Sequence, residues 1–460
     1  MKFFAVFLVV VLVVSSVHCT AAAEDQTEAQ LKLLQQQVAQ QAALIEALQD
    51  RLDDLEKAQE TPAAPVPTAP AAASATEPAT VAPEKPALRG RYPMELYGYV
   101  KIDAAHDSAG TTNGNTMRWV DPENVGRDDD QFALTARQTR LGLKIFGPES
   151  FGAETEGRVE VDFYGDGTEN NPELRMRYAY VSMDWPEDNT QLLFGQTWDL
   201  ISPLIPRTLN FTNLWWTGNS GFRRPQIRAT KTFGIGEKGN LELALALTRN
   251  IGDVNTRAFG EDTGADTGFP SIQGRAVYYL DGPIGRETTL GISGHFGQEE
   301  FDFTNFTGGS WRSQTVDSWS VHAESIYALT PKLLLTGEVF TGANMDAYTA
   351  GIGQGVVVVP FDDGRFNYAR EIRTRGGWAS LEIGPYGKWR YTLGGGMEDP
   401  DDSDLLPGAR SKNVGFYGNA LYAFSENIEL GVELAHWRTS YLQRDDASNL
   451  RLQTSATFKF

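Results

Sequence analysis

"NLELALALTR" (residues 240–249) sets Leu241, Leu243, Leu245 and Leu247 against Glu242, Ala244, Ala246 and Thr248. A period of two marks a strand, because successive Cβ atoms of a pleated chain point to opposite faces. The same texture runs outward in both directions. "TRLGLKIFG" (139–147) puts Leu141, Leu143 and Ile145 on one face, and Arg140 and Lys144 on the other. "EGRVEVDFYG" (156–165) sets Val159, Val161 and Phe163 against Arg158, Glu160 and Asp162. "ELYGYVKIDA" (95–104) opens the series, and "LRLQTSATFKF" (450–460) closes it. No segment beyond Met94 has the helical period that would cover the apolar face.

Sixteen alternating segments begin near residues 95, 134, 154, 174, 190, 224, 240, 270, 288, 317, 332, 372, 388, 411, 427 and 449. Short turns at 184–190, 233–240, 281–287, 329–332, 384–388 and 424–427 alternate with longer loops near 107–132, 198–222, 250–269, 297–314, 342–371, 397–410 and 438–448. A transmembrane barrel segregates its connections in this way, tight on one rim and long on the other. A soluble sandwich or propeller does not. The expected fold class is all-β, a 16-stranded antiparallel transmembrane β-barrel preceded by a short α-helical coiled coil.

The upstream segments differ in kind. Lys2, the apolar run 3–14 and the small residues "TAAA" read as a signal peptide over 1–23. The lone cysteine, Cys19, lies inside it, and His18 is bulky where a lipid-anchor site wants a small residue. Residues 24–60 carry heptads, with Leu31, Val38, Ile45 and Leu52 at a, and Leu34, Gln41, Leu48 and Leu55 at d. That seam predicts a coiled coil, and β-branched residues at a with Leu at d favour two strands. The Pro/Ala stretch 61–91 is an extended, semi-rigid linker. The barrel is expected over 92–460.

Composition narrows the function. The 460 residues carry a net charge of -20 and a pI near 4.7, which argues against a nucleic-acid partner. A mean hydropathy of -0.34 is too polar for a helical membrane protein. The histidines, His18, His106, His295, His322 and His436, are scattered singly, so neither a metal site nor a catalytic constellation is expected. Gly234, Gly236 and Gly239 match a dinucleotide fingerprint in spacing, but strands flank them on both sides. No cofactor or enzymatic activity is expected.

"YGYVKID", "TRLGLKIFG", "RMRYAYVSM" (175–183), "LLFGQTWD" (192–199) and the terminal Phe460 resemble a Gram-negative porin. With the heptads and Pro/Ala spacer in front, the chain is similar to the DcaP-like porins. That resemblance implies a trimeric outer-membrane channel for small anionic solutes such as dicarboxylates or aromatic acids, with the coiled coil as a periplasmic stalk. The trimer conflicts with the dimer chemistry of the heptads, and barrel contacts should outweigh four short heptads. The resemblance also implies that the third outer loop, 198–222, folds inward as a constriction. Its Leu200, Ile201, Leu204 and Ile205 would then pack on the inner wall.

Alternation points Lys101, Arg140, Arg175, Arg177, Arg224, Gln226 and Arg228 into the lumen, with Arg158 among carboxylates. These strands are neighbours, so the expectation is an arginine ladder that selects anions through fixed charge and a bidentate grip on carboxylates. The competing reading is a wet face of mixed sign, which Glu156, Glu160 and Asp162 support in part. Asn210 and Asn213 would add neutral hydrogen bonds. Trp215 and Trp216 have two readings, loop anchors or an apolar face for an aromatic solute. The acidic stretches 121–130, 261–266 and 397–404 are candidates for divalent-cation bridges to lipopolysaccharide. Expected partners are two further copies of the chain, outer-membrane lipid and lipopolysaccharide, small anions, and peptidoglycan at the stalk. An envelope tether that works through that stalk is the alternative function.

Overall fold

Exposure along the wall is inverted relative to a water-soluble protein. Ile292 and Phe416 are 63% and 62% exposed, whereas Gln273 and Arg451 are 0% and 1% exposed. An apolar exterior around a polar interior is stable only where the exterior solvent is lipid. The computed structural model describes residues 91–460 apart from short stretches (114–115, 123–129, 166–168, 170, 237–238, 252–263, 282–286, 305–310 and 361–366). The signal, heptad and linker expectations, Leu31 to Leu55 included, lie outside the described residues.

The wall strands are β1 (Met94–Asp107), β2 (Gln131–Thr135 continued by Arg140–Phe146), β3 (Glu154–Asp162) and β4 (Arg175–Trp185). Next come β5 (Thr190–Trp198), β6 (Arg223–Ile235), β7 (Gly239–Thr248) and β8 (Ser271–Asp281). The third group is β9 (Glu287–Thr304), β10 (Trp311–Thr330), β11 (Leu333–Ala343) and β12 (Arg373–Tyr386). The last are β13 (Trp389–Pro400), β14 (Arg410–Ala423), β15 (Ile428–Tyr441) and β16 (Arg444–Lys459). The sheet has 17 segments, two of which form β2, so sixteen antiparallel strands make the wall. Each pairs with its sequence neighbour, and β1 pairs with β16 from Tyr99↔Lys459 to Asp107↔Arg451, which closes the barrel. Closure leaves no unpaired edge in lipid. No helix among the described residues is long and apolar enough to cross a membrane.

On β15, Leu430, Val432 and Leu434 face outward while Glu433, Ala435 and Trp437 are buried within. At the short-turn rim the outward positions become aromatic, with Trp389 and Tyr422 packed at 4.8 Å. Such rings suit a membrane–water interface, apolar in body and polar at one edge.

The structure differs from the sequence reading in two loops. The expected long loops at 297–314 and 438–448 are largely strand, because β9 and β10 run 18 and 20 residues, and β15 meets β16 across 442–443. The apolar face ends there, but the backbone ladder continues, with Gln298 opposite Asp317 and Arg438 opposite Ser448, and side chains add to it: Gln298 Nε2 donates to Asp317 at 2.8 Å and Arg438 meets Asp446 at 2.6 Å. Of the acidic stretches, 397–404 is engaged with cations. Asp399 meets Arg375 and Lys412, and Asp401 and Asp404 meet Arg373. Residues 123–129 and 261–263 lie outside the described residues.

Candidate functional site

The connection from β5 to β6, residues 199–222, turns into the barrel. Leu200, Ile201, Leu209, Phe211 and Leu214 are buried, which offsets the cost of ordering so long a segment. Ile205 departs from the expectation of wall packing: it is 50% exposed. Inside a barrel the loop's N–H groups need acceptors, and wall carboxylates supply them. Glu338 of β11 accepts from Leu204 N at 2.9 Å and Ser202 Oγ at 2.7 Å. Glu433 of β15 accepts from Leu209 N at 2.8 Å and Thr208 Oγ1 at 2.7 Å. The Leu209 carbonyl accepts from Lys101 Nζ of β1 at 3.4 Å and Gln453 Nε2 of β16 at 3.0 Å. The return limb is tied to β14, where Asn413 Nδ2 donates to the Trp216 carbonyl and Thr217 Oγ1, both at 2.8 Å.

Two other outer connections hold the same limb. Trp216 N donates to Thr349 O at 2.9 Å and Gly221 N to Tyr348 O at 2.8 Å, joining it to the 344–372 connection. The hairpin of the first outer connection places Met117 and Val120 in one buried cluster with Leu214 and Trp437. Arg118 of that hairpin lies 4.5 Å over the Trp216 ring, and Trp119 meets Trp216 edge-on at 6.0 Å. Burial first, and the charge of Arg175 second, hold the Arg118 guanidinium below its ordinary range. Asn213, Leu214 and Trp216 have φ of 50°, 62° and 62°. Non-glycine residues hold that conformation only where surrounding contacts over-determine it. Gly218 (φ 101°) needs glycine for a second reason: a Cβ there would lie 2.1 Å from the Gly377 carbonyl oxygen.

All of the sequence-nominated basic residues face inward, yet most are paired. Arg177 meets Glu160 at 2.6 Å and Asp162 at 3.1 Å. Arg175 meets Asp162 at 2.7 Å. Arg158 donates through Nε to Tyr97 Oη at 2.6 Å and sits 3.6 Å from Glu160. Lys101 meets Asp103 at 3.0 Å and Gln138 at 2.6 Å. Arg224 forms a buried ion pair with Asp199 at 2.8 Å and lies 3.8 Å over the Tyr348 ring, a strut beneath the loop. Gln226 Nε2 donates to the carbonyls of Thr197 and Trp198, and Arg228 donates to Gln226 Oε1 at 2.9 Å and to Trp198 O. These two satisfy the loop's root.

A cavity of about 400 Å³ lies between the loop and the β1–β6 wall. Arg140, Arg177, Arg207 and Arg223 line it, with Glu382 opposite and held by Arg207 at 2.9 Å. Tyr99, Tyr178, Trp198, Phe211 and Trp215 supply the aromatic part of the lining, and Asn213 a polar one. The two tryptophans therefore separate. Trp215 borders the cavity, whereas Trp216 is clasped between loops. Asn210 is buried and bonds Met117 O at 3.1 Å and Thr212 Oγ1 at 2.7 Å, away from the cavity's lining. Arg223 and Arg207 are lining residues that sequence reading missed. Strict alternation assigns Arg223 to the lipid face because Arg224 faces inward. Arg223 pairs with Trp198 at the root of the loop, where the chain leaves the wall and alternation stops deciding sides.

The family model "DcaP outer membrane protein" matches residues 29–272. Among solved structures, the outer membrane channel DcaP of Acinetobacter baumannii is similar with a TM-score of 0.62 and 20% identity, over 81% of this chain and 99% of that one. OmpF of Salmonella typhi, in complex with daunomycin, is similar with a TM-score of 0.51 and 13% identity, over 80% and 98%. These likenesses show the fold. No curated protein matches the sequence.

Proposed function

The chain belongs to the DcaP outer membrane protein family, and we propose on that premise that it is a diffusion channel preferring small anions, carboxylates above all. Family and fold make it an outer-membrane porin. The finer reading rests on one observation: the cavity beside the 199–222 loop is lined by four arginines, with one carboxylate among its lining residues. Fixed positive charge in a narrow aqueous passage concentrates anions and repels cations. The loop is the constriction in this reading, and Arg140 and Arg223 supply the charge not met by a carboxylate among the described residues, whereas Arg177 and Arg207 are paired. The remaining nominated arginines hold the passage in shape, which also gives the mixed-sign reading of the lumen its share.

Three copies are proposed to assemble, on the strength of the family resemblance. Planar-bilayer reversal potentials in a potassium chloride gradient test the channel directly. A chloride-preferring potential is expected, and a potassium-preferring one would end the anion-channel reading.

A further inference from the structure

We infer that Arg223 is the point at which the channel grips a solute carboxylate, and that the paired arginines around it do not share this role. The inference deepens the anion-channel reading and rests on it. Arg223 is 3% exposed, and its Nε, Nη1 and Nη2 meet no acceptor among the described residues. A buried guanidinium without an acceptor is costly, so the demand for one is strong.

Its neighbours are rings. The guanidinium carbon lies 4.6 Å over Trp198 and 4.8 Å over Phe222. Ring faces attract the cation but cannot accept its in-plane N–H groups in full-strength hydrogen bonds. What is missing is therefore an acceptor in the guanidinium plane. The surrounding arginines lack that need: Arg177, Arg175, Arg224 and Arg207 each hold a carboxylate within 3.1 Å. Glu382, the acid in the cavity lining, is taken by Arg207. Arg140 resembles Arg223 in part. Its Nε also meets no acceptor among the described residues, and it lines the same cavity.

A carboxylate matches the geometry that is left. Its two oxygens accept two parallel N–H bonds from one guanidinium edge, which a spherical halide cannot do. Arg223 thus separates affinity for carboxylates from general preference for anions. Charge anywhere in the passage serves the second, whereas the first needs the planar fork at this position.

The test is block of chloride current by benzoate in planar bilayers, using the full-length channel. Benzoate is expected to reduce wild-type current saturably. Arg223→Gln is expected to raise the half-blocking concentration roughly ten- to a hundredfold, the loss of one charge-assisted contact. Arg223→Lys keeps the charge and loses the fork, so chloride preference should persist while benzoate block is largely lost. Arg175→Gln removes a charge already met by Asp162 and should weaken block less than Arg223→Gln does. Arg438→Gln, on the outer face, is the control, and heat-modifiable gel mobility confirms that each variant folds. Unblocked wild-type current, or wild-type half-block in both folded Arg223 variants, overturns the assignment and leaves anion preference standing. A potassium-preferring wild type removes the reading beneath it.

Discussion

Arg223 and Arg224 are adjacent in sequence and opposite in circumstance. One has no carboxylate partner among the described residues, and the other is locked to Asp199 with both side chains almost fully buried. Breaking a buried pair leaves an uncompensated charge, so Arg224→Met is expected to cost about 3–5 kcal/mol in urea unfolding from lipid vesicles. Adding Asp199→Asn, which removes the unpaired charge but keeps an acceptor for Phe222 N, should recover part of that loss, and a single variant as stable as wild type would show that the pair is not a strut. Gly218→Ala should cost more than about 1 kcal/mol, because it adds a Cβ against backbone at positive φ. Alternation sets Lys101, Arg140, Arg175 and Arg177 on the inner side of the wall. It could not read partners. Glu160 and Asp162 were visible as lumen carboxylates, but only the cross-strand register puts Arg175 opposite Asp162. Arg223 was illegible for another reason, since it sits where the strand ends.

At the scale of elements, all sixteen strand positions were legible, because a period of two against lipid and water is a strong signal. Two outer loops were misjudged where the apolar face gives out but hydrogen-bonded pairing does not. The inward course of 199–222 was suggested by its apolar content and by family resemblance. Its anchors were not visible, since Glu338 and Glu433 are ordinary lumen carboxylates until the loop's N–H groups arrive. The loop should therefore respond to single anchors. Glu433→Ala removes the acceptor for Thr208, Leu209 and Asn419, so single-channel recordings should show a larger and noisier conductance. Unchanged conductance and noise in that variant would mean the loop is held without this anchor. Trp216→Ala, which opens the clasp with Arg118 and Trp119, should produce the noise with less change in mean conductance.

For the whole molecule, closure through β1 and β16 completes the wall within residues 94–459. Deleting residues 24–90 while keeping residues 1–23 is expected to leave conductance and selectivity intact. Weakened envelope integrity with intact transport would assign residues 24–90 a tethering role, and altered conductance would show that they act on the pore. Unheated gel mobility should report three copies. The loop's anchors carry a consequence for the order in which the molecule forms. Leu209 is held by Glu433, 224 residues later in the chain, and Ser202 by Glu338, 136 residues later. Contacts so distant in sequence form late. The Asp199–Arg224 pair at the loop's root can form early, whereas the Leu209 end lacks its Glu433 anchor until β15 is in place. The channel's narrowest part is thus complete only once β15 has joined the wall, however early its root is set.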